Sequence, residues 1–196
     1  MHFPPLPGAS GAKIQKKGRR MVNQLIWFLV LLFTLTALRL TVVEIVRVKG
    51  RSMLPTLENR QWLLVSRLDY RLGEPQRGDV VICHFPGRYM DKFKLFPQYF
   101  VKRLIALPGE TIEVIDGVVH IDGAPLEESY LEPEHTRFRR HMPPRTLGDD
   151  EYYVMGDNRD NSNDSRRIGP ISRRMIVGRV RRILFPFRSW KSLTDK

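Results

Sequence analysis

The sequence predicts a mainly β protein, in which a single N-terminal transmembrane helix is followed by a β-rich domain of antiparallel sheets. Two observations support this fold class. An uncharged apolar run near the N-terminus has the composition of a minimal membrane helix, and the rest of the chain alternates short β-branched runs with turn residues. A length of 196 residues suffices for one domain with a hydrophobic core.

The chain is strongly basic, with 33 Lys and Arg against 21 Asp and Glu and a net charge of +12. Half of this excess lies in residues 1–40, which contain six basic residues and no acidic residue. Basic charge suits nucleic acid, anionic lipid or acidic partners, and its position beside an apolar run favours lipid. The single cysteine, Cys83, excludes an internal disulfide and a CxxC site.

Residues 21–40 are predicted to form the transmembrane helix. The stretch 25–38 carries no charge, and Arg39 lies close enough to the end to reach the membrane interface. The preceding basic residues predict a cytoplasmic segment at 1–20 and an extracytoplasmic domain at 41–196. A cleaved secretory leader is the alternative, but no clear small-residue cleavage site follows the apolar run.

Eight runs in the remaining chain have the composition of β-strands. They are 41–48, 62–66, 79–85, 99–107, 111–115, 118–122, 151–155 and 175–185. Asp116-Gly117 between two of them predicts a tight hairpin. Residues 126–150, polar and broken by prolines, predict a long exposed loop. Residues 88–99 mix aromatic and basic side chains, and they form either a core edge or a loop that touches a membrane.

Ser52 is a candidate nucleophile. Its surroundings, Gly50-Arg51-Ser52-Met53-Leu54, begin like a nucleophile elbow but lack the last glycine. No lysine follows three residues later, and none of the five histidines lies in a recognisable triad context. Taken alone, Ser52 is either a turn serine or a nucleophile that needs an activating base.

Lys102 lies in the middle of an apolar run, where a buried ammonium is costly unless it is paired or neutral. Strand alternation predicts Phe100, Leu104 and Ala106 on its face. Such burial lowers the pKa of a lysine from its ordinary value of about 10.4, so that the amine can accept a proton. Arg103 cannot do this, because a guanidinium keeps its proton. The alternative is a strand-end lysine that reaches water.

The stretch 155–170 is dense in Asp, Asn and Ser. The spacing of Asp160, Ser162 and Asp164 resembles the first ligands of a calcium loop, but Ser165 replaces the required glycine and the distal glutamate is missing. Three arginines in the stretch would also repel a cation. A hydrogen-bond network that holds other groups in place is the better interpretation.

Five features in order resemble the type I signal peptidases, over residues 21 to about 185. They are the apolar run, GRSMLPTL, RGDVVICHFP, YFVKRLIALPGE and GDNRDNSNDSRRIG. The resemblance implies a single-pass serine endopeptidase of a bacterial-type cell membrane, whose β-rich domain is catalytic. Its partners would be the lipid bilayer and secretory precursors, from which it removes N-terminal signal peptides. It implies no cofactor, no metal and no nucleic acid.

The same resemblance assigns roles to five residues. Ser52 is the nucleophile, and its backbone N–H is an oxyanion donor. Lys102 is the general base, Ser162 orients it, and Asp164 with Arg166 forms a supporting ion pair.

The chain departs from common family patterns at several positions. Some members carry Ser or Thr at position 50 as a second oxyanion donor, and here that residue is Gly50. Phe100 replaces a frequent tyrosine, Ala106 a frequent glycine, and Arg167-Ile168 an aromatic pair.

Two other functions fit parts of the sequence. A self-cleaving Ser/Lys protease, like the SOS-type repressors, would use the same dyad, but the anchor and the lack of a recognition helix argue against it. A membrane-tethered basic domain that binds nucleic acid or another partner would require Ser52 and Lys102 to be incidental. The sequence does not identify the precursors or the oligomeric state.

Overall fold

The computed structural model describes residues 9–90, 92–93, 95, 97–137, 141–186 and 192–193. The chain forms two compact units, Met1–Thr41 and Val42–Lys196.

Helix α1, Ala9–Val42, is 34 residues long and includes the described residues of the first unit. It includes the predicted span 21–40, and the large apolar side chains from Met21 to Leu35 are exposed. Within the described part of the chain, however, no helix combines the length and the apolarity needed to cross a membrane.

The second unit is mainly β, as predicted. Its strands are β1 Val43–Arg47, β2 Trp62–Ser66, β3 Val80–Tyr89, β4 Pro97–Ala106, β5 Thr111–Ile115, β6 Val118–Ile121, β7 Ala124–Pro125, β8 Met142–Thr146, β9 Glu151–Met155, β10 Ile171–Ser172 and β11 Ile176–Phe185. The short helices are α2 Asp69–Leu72 and α3 Ser165–Ile168, and 3₁₀ turns lie at Pro133–His135 and Arg173–Met175.

The strands form two antiparallel sheets. The larger sheet has seven strands in the order β1-β2-β11-β3-β4-β9-β10, and the smaller has four in the order β7-β6-β5-β8. Neighbouring strands run antiparallel in both sheets. The prediction of antiparallel sheets is therefore confirmed.

The core lies on both faces of the larger sheet and continues into the smaller one. Along β3, Val80 and Ile82 pack in one buried cluster, whereas Val81 and Cys83 pack in another. Because successive side chains of a strand point to opposite faces, these clusters cover the two sides of the sheet. A third cluster joins the end of β4 to the smaller sheet.

The predicted hairpin between β5 and β6 is confirmed, because Asp116 and Gly117 both have positive φ, at 49° and 86°. These values match the two-residue turn that Asp-Gly favours.

The predicted loop at 126–150 differs in part from the structure, and the structure argues against one of the two alternatives for 88–99. Residues 126–150 include strand β8, whose two prolines do not prevent pairing because β8 lies at the edge of its sheet. In the stretch 88–99, Met90 and Phe93 are 68% and 85% exposed. The described residues of that stretch therefore do not form a buried core edge.

Candidate active site

Ser52 lies in the turn-rich segment between β1 and β2. Hydrogen bonds close this segment at its base, where Val48 N–H donates to Gln61 C=O at 2.8 Å. Met53 and Leu57 are buried in the core on either side of a turn, in which Leu57 N–H donates to Met53 C=O at 2.8 Å. The apolar residues of the motif thus fix the backbone that carries the half-buried Ser52.

Lys102 lies on β4, fifty residues further along the chain, and the structure places it against Ser52. Its Nζ donates a hydrogen bond to Ser52 Oγ at 2.8 Å. Lys102 is only 2% exposed, so it is not a strand-end lysine that reaches water. The two residues that the sequence singled out separately are therefore in direct contact.

The surroundings of Lys102 are largely apolar. Its Nζ lies 6.0 Å from the centre of the Phe100 ring, and β3 places Val81 and Cys83 opposite Lys102 and Phe100. Burial is the main effect that lowers the pKa of Lys102 from its ordinary range, although nearby Asp164 partly opposes it. A lysine amine that is neutral near physiological pH can act as a base.

The predicted position of Ala106 beside Lys102 is wrong. On β4, Leu104 and Ala106 pair with successive residues of β9, so Ile105 is an extra residue in a β-bulge. Leu104 packs in the cluster that covers the Lys102 side of the sheet, whereas Ile105 and Ala106 both pack in the third cluster. The bulge therefore ends the alternation on which the prediction relied.

Ser162 lies near the dyad, but no hydrogen bond joins it to Lys102 among the described residues. A Cβ on Gly156 would lie 2.3 Å from Ser162 Oγ and 2.4 Å from the carbonyl oxygen of Ser52. Both serines therefore pack against the same side of Gly156. Ser162 helps to lower the pKa of Asp164, yet its buried hydroxyl has no partner with hydrogen-bond geometry in the described chain.

Asp164 and Arg166 form the predicted ion pair. Arg166 donates through Nε and Nη2 to the two carboxylate oxygens at 2.9 and 2.8 Å. Burial raises the pKa of Asp164, but the hydrogen bond and charge of Arg166 outweigh it, so that the pKa is lowered overall. Asp164 also accepts from Gly156 N–H at 2.9 Å and caps helix α3. The pair thus holds the loop that carries Ser162.

Asn158, which sequence reasoning did not select, holds the nucleophile turn. Its N–H donates to Ser52 C=O at 3.0 Å, and its Nδ2 donates to Arg51 C=O at 3.1 Å. The Arg51 carbonyl and the Ser52 N–H belong to one planar peptide group. By fixing that plane, Asn158 sets the direction of the predicted oxyanion donor. Gly50 supplies no side-chain donor.

Two buried ion pairs near the site were also not selected from the sequence. Arg103 binds Asp157 through Nε and Nη2 at 2.9 and 2.7 Å, and Arg159 binds Glu128. The sequence did contain a signal for the Arg103–Asp157 pair. Arg103 follows Lys102 in a strand, so its side chain points to the opposite buried face, where a guanidinium requires a carboxylate partner.

Comparison with known proteins identifies the family. The model of the family "Signal peptidase, peptidase S26" matches residues 20–185. A probable signal peptidase I-1 of Synechocystis is 40% identical over 157 residues, covering 80% of this chain and 78% of that protein. Signal peptidase I of Bacillus caldolyticus is 31% identical over 192 residues, covering 90% of this chain and 95% of that protein.

A solved structure is also similar. The crystal structure of a signal peptidase I from Enterococcus faecalis V583 aligns with a TM-score of 0.40 and 29% identity, covering 55% of this chain and 97% of that chain. From the family match and the two relatives, this chain belongs to the signal peptidase family, peptidase S26.

Proposed function

We propose that this chain is a serine endopeptidase that removes N-terminal signal peptides from secretory precursors, with Ser52 as nucleophile and Lys102 as general base. The observation that supports the roles most strongly is the 2.8 Å contact between Lys102 Nζ and Ser52 Oγ at a lysine that is almost wholly buried. The name signal peptidase I, shared by the relatives, supports the substrate class.

Acylation begins when the neutral Lys102 amine takes the proton of the Ser52 hydroxyl. Ser52 Oγ then bonds to the carbonyl carbon of the scissile peptide, and the Ser52 N–H stabilises the resulting oxyanion. As the carbon–nitrogen bond breaks, the Lys102 ammonium gives its proton to the leaving amine. The mature protein departs, and the signal peptide remains as an ester on Ser52.

Deacylation uses the same two groups. Lys102 takes a proton from a water molecule, whose oxygen attacks the ester carbon. The bond to Ser52 Oγ breaks, and Oγ regains a proton from Lys102. This chemistry needs no metal and no cofactor, so a metal chelator should leave the rate unchanged.

The carboxylates near Lys102 have a complementary role in this scheme. Burial lowers the pKa of the Lys102 amine and so favours its neutral form, whereas Asp164 and Asp157 favour the ammonium that forms during each step. Ser162 is proposed to orient that amine. Its unpartnered hydroxyl, which packs against the same side of Gly156 as Ser52, can accept a hydrogen bond from Lys102 when Ser52 has reacted.

Helix α1 is proposed to attach the enzyme to a bacterial-type cell membrane as a single pass, with the N-terminus cytoplasmic and residues 41–196 outside. The support is that large apolar side chains at consecutive positions from Leu25 to Phe33 are exposed, so every face of this helical segment is apolar. A common membrane would raise the effective concentration of enzyme and precursor. Protease protection of sealed vesicles tests this orientation.

The proposed dyad is tested by cleavage of a secretory precursor in detergent with the full-length enzyme. Ser52→Ala and Lys102→Ala should each reduce kcat by at least about 10⁴-fold, because residues that act as a unit are each indispensable. Lys92→Ala, at an exposed lysine, is the matched control and should cleave normally. Full activity in either dyad variant, with the fold retained, would contradict the assignment of the dyad. A failure of the unaltered enzyme to cleave the precursor would favour a non-enzymatic binding domain.

A further inference from the structure

A second buried charge pair lies next to the loop that holds the nucleophile. Glu128 accepts a hydrogen bond from Arg159 Nη1 at 2.9 Å and another from Nη2. The side chains of Arg159 and Glu128 are only 4% and 7% exposed. A buried ion pair often stabilises a fold less than apolar residues of the same size would. Its position beside the site therefore suggests a function other than stability.

Tyr130 connects the Glu128–Arg159 pair to the Arg103–Asp157 pair. Its hydroxyl donates to Glu128 Oε1 at 2.5 Å, and its ring centre lies 3.7 Å from Cζ of Arg103. Burial raises the pKa of Tyr130 above its ordinary value, so the hydroxyl stays protonated and remains a donor. Glu128 and Tyr130, which we term the latch, thus contact both buried arginines from one short stretch of chain.

Both arginines hold the backbone that follows β9. Arg103 binds the carboxylate of Asp157 through two nitrogens. Arg159 Nε donates to the carbonyl of Gly156 at 3.2 Å. The segment 156–159 is therefore fixed from two sides by the guanidinium groups that the latch contacts.

The same segment contacts the nucleophile turn directly. The N–H of Asn158 donates to Ser52 C=O at 3.0 Å, and Gly156 packs so closely that an added Cβ would lie 2.4 Å from that oxygen. A displacement of segment 156–159 would therefore move Ser52. Side chains that fix the segment also fix the nucleophile.

We propose that Glu128 and Tyr130 are positioning residues of the peptidase, which hold segment 156–159 against the Ser52 turn and so keep Ser52 Oγ beside a dry Lys102 amine. Neither residue touches the reacting atoms; both act through Arg103 and Arg159. The inference rests on the proposed roles of Ser52 and Lys102.

If the contacts of Glu128 and Tyr130 are weakened, the pH profile of cleavage should change. A purely structural role would not produce this change. If the Ser52 turn moves away, water reaches Lys102, and loss of burial lets its pKa return toward the ordinary value. The charged and titratable groups that act on Lys102 are Asp164, Asp157, Cys83 and Arg166. None of them is altered by a substitution in the latch, so a change in the pH profile would report the geometry of the site.

The test compares Glu128→Gln and Tyr130→Phe in the full-length enzyme with Glu127→Gln, a control at the exposed neighbouring glutamate. We expect Glu128→Gln to lower kcat by about 10-fold with little change in KM, because a misplacement of about 1 Å can cost about 10²-fold. The acidic limb of kcat/KM against pH should move to higher pH. Tyr130→Phe keeps the ring against Arg103 and should show smaller shifts in the same direction.

The outcomes separate the latch from the proposed function. Wild-type kcat and an unmoved pH limb in both latch variants, with Ser52→Ala inactive, would overturn the latch alone. So would a loss of activity that matches the unfolded fraction measured by circular dichroism. If Glu128→Gln does not fold, Tyr130→Phe decides by the same criteria. An active Ser52→Ala enzyme would overturn the proposed function and the latch with it.

Discussion

Lys102 Nζ donates a hydrogen bond to Ser52 Oγ across 2.8 Å, although fifty residues separate them in the chain. Strand β4 presents the lysine, and a turn anchored by buried Met53 and Leu57 presents the serine. Burial keeps the pKa of the amine below its ordinary range.

Cleavage should become faster with rising pH as Lys102 loses its proton. Because burial lowers the pKa of Lys102, kcat/KM should reach its plateau below the ordinary lysine value of about 10.4. Steady-state cleavage of a precursor across this range is the measurement. Lys102→Arg is the control and should be inactive at every pH, because a guanidinium keeps its proton. A rate that does not change between about pH 6 and 10 would count against a lysine base.

Lys102→Met should abolish activity and yet stabilise the fold. Substituting an apolar side chain for a buried polar or charged group often raises the free energy of unfolding by about 1 kcal/mol or more. The pKa of folded Lys102 is lowered, so the unfolded chain binds more protons between that pKa and about 10.4. Wild-type stability should therefore rise with pH in this window, and the advantage of Lys102→Met should shrink.

Urea unfolding at several pH values measures that difference. Lys92→Met, at an exposed lysine, is the control and should leave stability unchanged at each pH. A Lys102→Met protein that is less stable than the wild type at neutral pH, by a margin independent of pH, would contradict a neutral buried amine.

Gly156→Ala should damage both stability and rate. The added Cβ would lie 2.3 Å from Ser162 Oγ and 2.4 Å from Ser52 C=O, so the Ser52 turn must move. Overpacking of this kind costs about 1–3 kcal/mol, and displacement of the nucleophile should lower kcat by at least about 10-fold. Thermal unfolding and steady-state kinetics are the measurements.

Gly148→Ala is the matched control for that substitution. A Cβ at Gly148 would lie no closer than 3.7 Å to Glu151, which is ordinary van der Waals contact. Its effect on stability should be within about 0.5 kcal/mol. Equal effects of the two substitutions would show that the close contact at Gly156 does not matter.

Asn158→Asp should lower kcat with little change in KM. It replaces the Nδ2 donor to Arg51 C=O by an acceptor, so the peptide plane that carries the Ser52 N–H loses its support. Removal of an oxyanion donor costs about 10²–10³-fold in kcat, and loss of its alignment should approach the lower value. Asn163→Ala, at an exposed asparagine of the same loop, should cleave normally. A wild-type kcat in Asn158→Asp would show that Asn158 does not align the Ser52 N–H for catalysis.

Local patterns in the sequence were sufficient for much of the fold. Asp116-Gly117 predicted its hairpin because few residues accept positive φ, and the runs 62–66, 111–115 and 151–155 match β2, β5 and β9. Strand β8 was missed because Pro143 and Pro144 disfavour strands, and only its edge position makes them acceptable.

Motifs in the sequence selected the candidate site residues. The family resemblance, drawn from five motifs in order, is confirmed by the family match. The Asp164–Arg166 ion pair is present as the resemblance implied. The Glu128–Arg159 pair joins residues 31 positions apart, and nothing in the local sequence around Glu128 indicates a buried partner. Contacts of this kind depend on the tertiary fold and need the structure.

The central claim is that the amine of Lys102 is uncharged beside Ser52, and a direct titration of that amine tests it best. NMR of the full-length enzyme in detergent, with isotope-labelled lysine and Lys102→Arg to assign the signal, follows the protonation of this one side chain. The account predicts a transition well below the ordinary lysine range of about 10.4. A Lys102 amine that titrates with the exposed lysines would contradict it.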